Sequence, residues 1–186
     1  MDEQRVPAGN TPTLETERLV LRPLSADEAN SLHRISNEPN VRLYLWDDER
    51  VSEATIKSFI ARSDGMFLKE KIGLYGVRMR GSEDLLGFCD FVRLEGMEEP
   101  ELWYELTQKA WGRGLTTEAA QACVRYALEE AGMERVIACA DTPNTASLRV
   151  IEKLGMRHLG NINPSAPEVP YFALYKEDFF AAMAKG

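Results

Sequence analysis

The sequence predicts a mixed α/β fold, a central twisted and mostly antiparallel sheet of about seven strands with helices on both faces, from three observations. Three alternating apolar runs, Ile72 to Arg80, Leu85 to Arg93 and Glu101 to Thr107, follow one another across Arg80-Gly81-Ser82 and the Glu95 to Pro100 stretch. Such short links make antiparallel neighbours. From Thr116 the apolar period lengthens to that of a helix, with Ala120, Cys123, Val124, Ala127, Leu128 and Ala131 on one face and Gly132 placed to end it. Beyond it, strand-like and helical runs alternate, the pattern of crossover units in a mixed sheet.

The remaining elements follow in chain order. Residues 1 to 13 are polar and hold Pro7, Gly9, Asn10 and Pro12, so they read as a flexible tail ahead of a single domain over residues 14 to 184. Arg18 to Pro23 sets Leu19 and Leu21 against Arg18, Val20 and Arg22 and stops at proline, a first strand. Ser25 and Glu28 form a capping box for a helix carrying Ala29, Leu32 and Ile35 on to Pro39. A second helix starts after Ser52, with Ile56, Phe59 and Ile60 on one face. After the long helix come a strand from Arg135 to Ala140, a helix that Asn144 caps and that runs to Gly155, and strands from Arg157 and over Tyr171 to Tyr175.

Composition narrows the function. The 186 residues suit one hydrophobic core, and 44% hydrophobic with 28% charged residues excludes a disordered or fibrous class. With 30 acidic and 22 basic side chains the net charge is −8 and no basic run interrupts it. That balance argues against duplex nucleic acid as a partner and would attract a cationic acceptor. No apolar run reaches the ~20 residues that cross a bilayer, and Asp2, Glu3 and Pro7 stand where a signal peptide would be basic and then apolar. Cys89, Cys123 and Cys139 lack CxxC or His-paired spacing, which reads as buried packing in a reduced cytoplasm, and His33 and His158 are too isolated for a metal site. One sequence reveals no self-complementary patch, so oligomeric state stays open.

The segment with chemical content is Gln108-Lys109-Ala110-Trp111-Gly112-Arg113-Gly114-Leu115-Thr116, between a strand and a helix. Two glycines one residue apart let backbone N–H groups converge, the helix start adds its positive dipole end, and Lys109 and Arg113 add charge. Together they form an anion cradle suited to a pyrophosphate. A G-x-G also serves a plain strand-to-helix turn. The segment lacks the G-K-[ST] of a nucleoside triphosphate loop and the third glycine of a dinucleotide loop.

The constellation resembles the GNAT acyltransferase superfamily, whose first motif has the form [RQ]-x-x-G-x-[GA]. Here it reads Lys109-Ala110-Trp111-Gly112-Arg113-Gly114, with Lys109 where the family has Arg or Gln. Asn144-x-x-Ser147 followed by Glu152-Lys153-Leu154-Gly155-Met156 looks like the family's N-x-x-S and EK-x-G-[FM] helix. Glu15 to Arg22 and Trp111 to Ala119 also resemble the RimJ/RimL-type branch, which acetylates protein N-termini. The resemblance implies acetyl-CoA as donor, no metal, and a primary amine as acceptor, above all a protein or peptide N-terminal α-amine attacking directly in a ternary complex. It implies a cofactor site of Leu106, Lys109, Trp111, Gly112, Arg113, Gly114, Leu115, Thr116, Asn144 and Lys153. A small-molecule acceptor (polyamine, amino acid or aminoglycoside) and a non-catalytic CoA-binding module are the alternatives.

Acetyl transfer to an amine needs a neutral nucleophile and donors for the oxyanion, while a thiol of pKa about 8.5 leaves with little help, so positioning should dominate. In the family the strand before the loop splays from its neighbour and exposes N–H groups to the thioester, which by resemblance places that strand end at Leu106. Leu102, Tyr104 and Leu106 alternate with Glu101, Trp103 and Glu105, so the two carboxylates share one face and are candidate bases, with Glu105 nearer the expected acetyl group. Either could equally be a solvated or salt-bridged strand residue. Glu168, in the Asn163 to Pro170 loop, is a further candidate. Many GNAT enzymes place an acidic tyrosine seven residues after the motif asparagine, where this chain has Ile151. The RimJ/RimL-type branch offers the motif serine instead, which assigns Ser147 to the thiolate end. Asn144 and Ser147 also suit a plain helix start. Trp111 is expected to pack the loop onto the sheet, and Trp46, beside Tyr44 and Asp47 to Glu49, to line the acceptor cleft or cover the core.

Overall fold

The alternating runs become strands and the 3.6-period runs become helices, in a computed structural model that describes residues 11–94, 97, 99–162 and 168–183. Of the expected tail, residues 1–10 lie outside the described residues. In chain order the elements are β1 (Leu14–Glu15), β2 (Leu19–Pro23), α1 (Ala29–Ser36), α2 (Pro39–Leu45), α3 (Glu53–Glu70), β3 (Tyr75–Met79), β4 (Gly87–Val92), β5 (Glu101–Leu106), α4 (Leu115–Glu129), β6 (Arg135–Cys139), α5 (Thr145–Lys153), β7 (Arg157–Gly160), β8 (Tyr171–Tyr175) and α6 (Lys176–Met183). One-turn 3₁₀ segments, Ala26–Glu28 and Gln108–Ala110, precede α1 and α4.

The strands form one sheet in the order β1-β2-β3-β4-β5-β6-β8-β7. Every neighbouring pair is antiparallel except β5 and β6, which the α4 crossover makes parallel. The α5 crossover carries the chain past β6 to the sheet edge, and β8 then inserts between β6 and β7, so the second crossover creates no parallel neighbours.

Three expectations are corrected. The sheet has eight strands rather than about seven, because Leu14 and Glu15 pair with Leu21 and Val20 in a strand too short to show alternation. The helix expected from Ser25 to Pro39 is two: α1 stops at Ser36, and Pro39 opens α2 at its first turn behind an extended Glu38, ψ 129°. Proline lacks an N–H and holds its predecessor extended, which suits a helix start. A helix not foreseen, α6, follows β8 directly.

The sheet buries apolar side chains on both faces. On one, Leu19, Leu21, Val77, Phe91, Leu102 and Leu106 pack with Ala120, Cys123, Val124 and Ala127 of α4. On the other, Phe88, Val92 and Trp103 meet Leu32 of α1 and Ile56, Phe59 and Ile60 of α3. Alternation along β5 thus turns Tyr104 toward the α4 side and Trp103 toward the α1 to α3 side.

At the centre, β5 pairs with β4 along its whole length, from Val92↔Glu101 to Gly87↔Leu106. It meets β6 only at Glu101↔Ile137. From Leu102 onward the two parallel strands diverge, so an edge of β5 backbone is left without its ladder in the middle of the sheet.

Candidate active site

The loop after β5 has the geometry of an anion cradle. Gly112 and Gly114 adopt left-handed φ of 71° and 74°, which other residues reach only at a cost. A Cβ on Gly112 would meet nothing within 4 Å, and one on Gly114 only the Arg18 guanidinium at 3.7 Å, so the space before both is open. The first backbone bond of α4 runs from Glu118 N to Gly114 O at 3.1 Å. Among the described residues, the N–H groups from Gly112 to Thr117 make no well-formed backbone hydrogen bond, and at a helix start such groups attract an anion. Lys109 and Arg113 are exposed beside them. Trp111 is 46% exposed, yet its indole N–H donates to Leu106 O at 2.7 Å and ties the loop to the end of β5.

The chain's opening segment braces this loop from behind. Thr16 Oγ1 at 2.6 Å, Arg18 N at 2.9 Å and Arg18 Nε at 2.6 Å all donate to the carboxylate of Glu118, in the first turn of α4. Arg18 Nη1 also donates to Arg113 O at 3.0 Å. Burial works in the other direction, but these bonds hold the Glu118 carboxyl below its ordinary pKa. Arg18 thus offsets an acid that would otherwise repel a phosphate.

On the α1 to α3 side of the sheet, Glu105 is 5% exposed. Ser36 Oγ, at the end of α1, donates to its Oε1 at 2.6 Å, and Trp46 Nε1, just past α2, donates to its Oε2 at 2.7 Å. Burial pushes the carboxyl up to about 7 against the pull of both donors, and Glu38 raises it further. Glu38 itself accepts from Thr107 Oγ1 at 2.6 Å and Gln108 N at 2.9 Å, which fastens the start of α2 to the end of β5. The Trp46 ring packs edge-on to Phe59 with centroids 6.0 Å apart. Trp46 therefore joins the site instead of merely covering the core.

Glu101 lies at the point where β5 and β6 touch and is 1% exposed, without a well-formed hydrogen bond at either carboxylate oxygen. Burial raises its pKa, with Cys139, Trp103 and Tyr171 the polar groups acting on it. Cys139 is half-buried, not packed in an apolar core as expected. Burial first and then Glu101 hold it as a neutral thiol, which disqualifies it as a covalent nucleophile.

Asn144, Ser147 and Tyr104 gather on the opposite face. Asn144 caps α5 by accepting from Ser147 N at 3.1 Å. The hydroxyls of Ser147 and Tyr104 are 2.8 Å apart. Ile151 is buried, so the tyrosine-like position carries no hydroxyl. Across the top of the divergence, Tyr44 of α2 donates to Pro143 O at 3.3 Å. Lys153 sits at the other end of α5 from Asn144, roughly 13 Å along a helix rising 1.5 Å per residue. Glu168 is exposed in the turn before β8, and Asn163 to Pro167 of its loop lie outside the described residues.

Residues 18–157 match the family described as acetyltransferase (GNAT) domain. The chain belongs to the GNAT acetyltransferase family. It is 30% identical over 155 residues to YoaA of Bacillus subtilis strain 168, named an uncharacterized N-acetyltransferase, covering 80% of this chain and 85% of that one. It is similar to the structure of a GNAT-family acetyltransferase from Bacillus anthracis, with a TM-score of 0.73, 26% identity, and 89% and 99% of the two chains covered. The fold also resembles that of RimL, a ribosomal L7/L12 alpha-N-protein acetyltransferase in complex with coenzyme A, with a TM-score of 0.73 at 15% identity and 88% and 98% coverage. This GNAT protein is an N-acetyltransferase, of a family that uses acetyl-CoA. Among the described residues no helix is long and apolar enough to cross a membrane, and no group of three or more His, Cys, Asp or Glu is placed to hold a metal ion.

Sequence reasoning missed Ser36, Glu38, Tyr104 and the bracing role of Thr16 and Arg18. One of them left a cue. Ser36 follows Leu32 by four positions on the buried stripe of α1, and a serine there needs a polar partner.

Proposed function

We propose that this GNAT enzyme acetylates the N-terminal α-amine of a protein or peptide, with residues 14–184 acting as one catalytic unit. The observation that carries the reading is Glu105, a buried carboxylate with a pKa near neutrality on one face of the diverging β5 edge, opposite Ser147 on the other. The amine enters on the α1 to α3 side and the sulfur leaves on the α5 side. The net charge of −8 favours approach of a cation, and the fold shared with RimL supports an N-terminal acceptor.

The open space at Gly112 and Gly114 and the N–H groups at the start of α4 fit a pyrophosphate. In this reading Gly112 to Thr116 hold it, with Lys109 and Arg113 beside them, Trp111 fixing the loop, and Asn144 and Lys153 on α5 as outer contacts. The thioester arm lies along the unpaired edge of β5 toward Leu106. Donors on that edge meet the developing oxyanion. Ionised Glu105 takes a proton from the incoming ammonium, directly or through one water. The neutral amine attacks, the C–N bond forms, the C–S bond breaks with its electron pair going to sulfur, and the second proton of the nitrogen passes through water to the departing thiolate. Glu101 sits at the β5 to β6 contact, at the other end of β5 from Leu106, where the acetyl group is expected, so its part is secondary.

Because the base must be ionised, turnover rises with pH through about 7. The first test is thermal stabilisation by CoA and acetyl-CoA against ATP and NAD, followed by thiol release with N-terminal peptides, polyamines, amino acids and aminoglycosides. Stabilisation by CoA species with turnover of peptides is expected. Turnover confined to small amines would overturn the acceptor, and CoA binding without any transfer would leave a binding module.

A further inference from the structure

From the pairing of two hydroxyls across the divergence, we infer that Tyr104 orients Ser147, aiming the serine hydrogen at the departing sulfur. The inference rests on the reading of Ser147 as the group at the thiolate end and deepens it.

Tyr104 and Ser147 are 43 positions apart and meet only because α5 docks on the α4 side of the sheet, the face to which alternation turns Tyr104. The phenol O–H can donate to Ser147 O at 3.3 Å, and its oxygen lies 2.8 Å from Ser147 Oγ, a pair in which either hydroxyl can donate. Ser147 N is already engaged by Asn144 Oδ1. Among the described residues, Ser147 Oγ has no other hydrogen bond.

A serine hydroxyl has one hydrogen and rotates freely. In the first turn of a helix it tends to bond back to the backbone, which would point the hydrogen away from any substrate. Burial raises the Tyr104 pKa above its ordinary value, so the phenol keeps its proton and remains a donor. In the catalytic arrangement the shorter contact, 2.8 Å against 3.3 Å, takes that proton to Ser147 Oγ, and the serine hydrogen is then left for the gap between β5 and β6. There the leaving sulfur gains its electron pair.

Serine is too weak an acid to protonate a thiolate whose conjugate acid has a pKa of about 8.5. Ser147 therefore donates a hydrogen bond to the developing charge and keeps its proton; of the two protons the nitrogen loses, the first resides on Glu105 and the second passes through water to the thiolate. Tyr104 touches no reacting atom. It is a positioning residue, acting through Ser147.

The test uses the full chain, acetyl-CoA and an amine the wild-type protein acetylates, with thiol release as readout for Tyr104→Phe, Ser147→Ala and the double variant. Tyr104→Phe should lower kcat about tenfold with the apparent acetyl-CoA KM changed less than twofold. The double variant should be no slower than Ser147→Ala, since both remove one function. CoA-induced thermal stabilisation, unchanged in Tyr104→Phe, shows that the fold and the cradle survive. Reduced turnover in Ser147→Ala with full turnover in Tyr104→Phe, or multiplicative losses in the double variant, would overturn the inference alone. Full turnover in Ser147→Ala would overturn the serine assignment and the inference with it.

Discussion

The anion cradle and the carboxylate pocket lie at the same end of β5, but they are assembled in opposite ways. From Gly112 to Thr117 the cradle is one stretch of backbone whose donors and open faces follow from two glycines and a helix start. Glu105 takes its partners from Ser36 and Trp46, 69 and 59 positions earlier in the chain. Main-chain donors need only the right φ values, so the first site tolerates wide change in its side chains. The second depends on side chains that docking of α1 and α2 brings together. It should be the half that varies with the acceptor, and the half in which single substitutions reach the chemistry.

That contrast breaks most sharply at the glycines. Gly112→Val with Gly114→Val fills the cradle and puts branched residues at left-handed φ, at roughly 1 to 2 kcal/mol each, less than the 5 to 15 kcal/mol that typically hold a domain together. A folded protein with a lower melting temperature and no stabilisation by CoA is expected, where the wild type gains about 2.7 kcal/mol at a ligand concentration 100 times the dissociation constant. Wild-type stabilisation would show that the loop is only a turn.

The carboxylate pocket is sharpened by Trp46→Phe, which keeps the ring packing on Phe59 and removes the donor to Glu105 Oε2. Losing a hydrogen bond to the charged form raises a carboxyl pKa. The acid limb of the rate profile should move up by about one unit, with a smaller loss on the alkaline plateau. An unmoved limb would mean that the indole only packs.

The smallest effect is expected behind the loop. Arg18→Gln frees Glu118 beside the cradle, but the pair is partly exposed, so acetyl-CoA affinity should fall only a few-fold and regain ground as salt rises. Equal affinity at low salt would leave Arg18 as a structural brace.

What was legible in the sequence follows the same division. The meander, α4 and the glycine cradle rest on neighbours within a few positions, so periodicity and turn chemistry reveal them. The motif in Glu15 to Arg22 was visible by resemblance, but its reason, the bonds of Thr16 and Arg18 to Glu118, spans about a hundred positions. Pro39 was in plain view and still read as the end of one helix, when it opens the next and brings Glu38 to Thr107 and Trp46 to Glu105. Glu105 and Ser147 were named on separate grounds. Their placement on opposite faces of one diverging strand emerges only from the sheet order and the single ladder pair between β5 and β6.

The most direct test of this account is the pH dependence of kcat/KM for acetyl transfer, compared between the wild type and Glu105→Gln. In the proposed mechanism ionised Glu105 is the active form, and burial raises its pKa to about 7. The wild-type rate should therefore climb with pH through that value and level off, while Glu105→Gln should lose the limb and fall 10²- to 10⁴-fold on the plateau, the usual contribution of a general base. The same limb in both proteins, with similar plateaus, would contradict the assignment of Glu105 as the base.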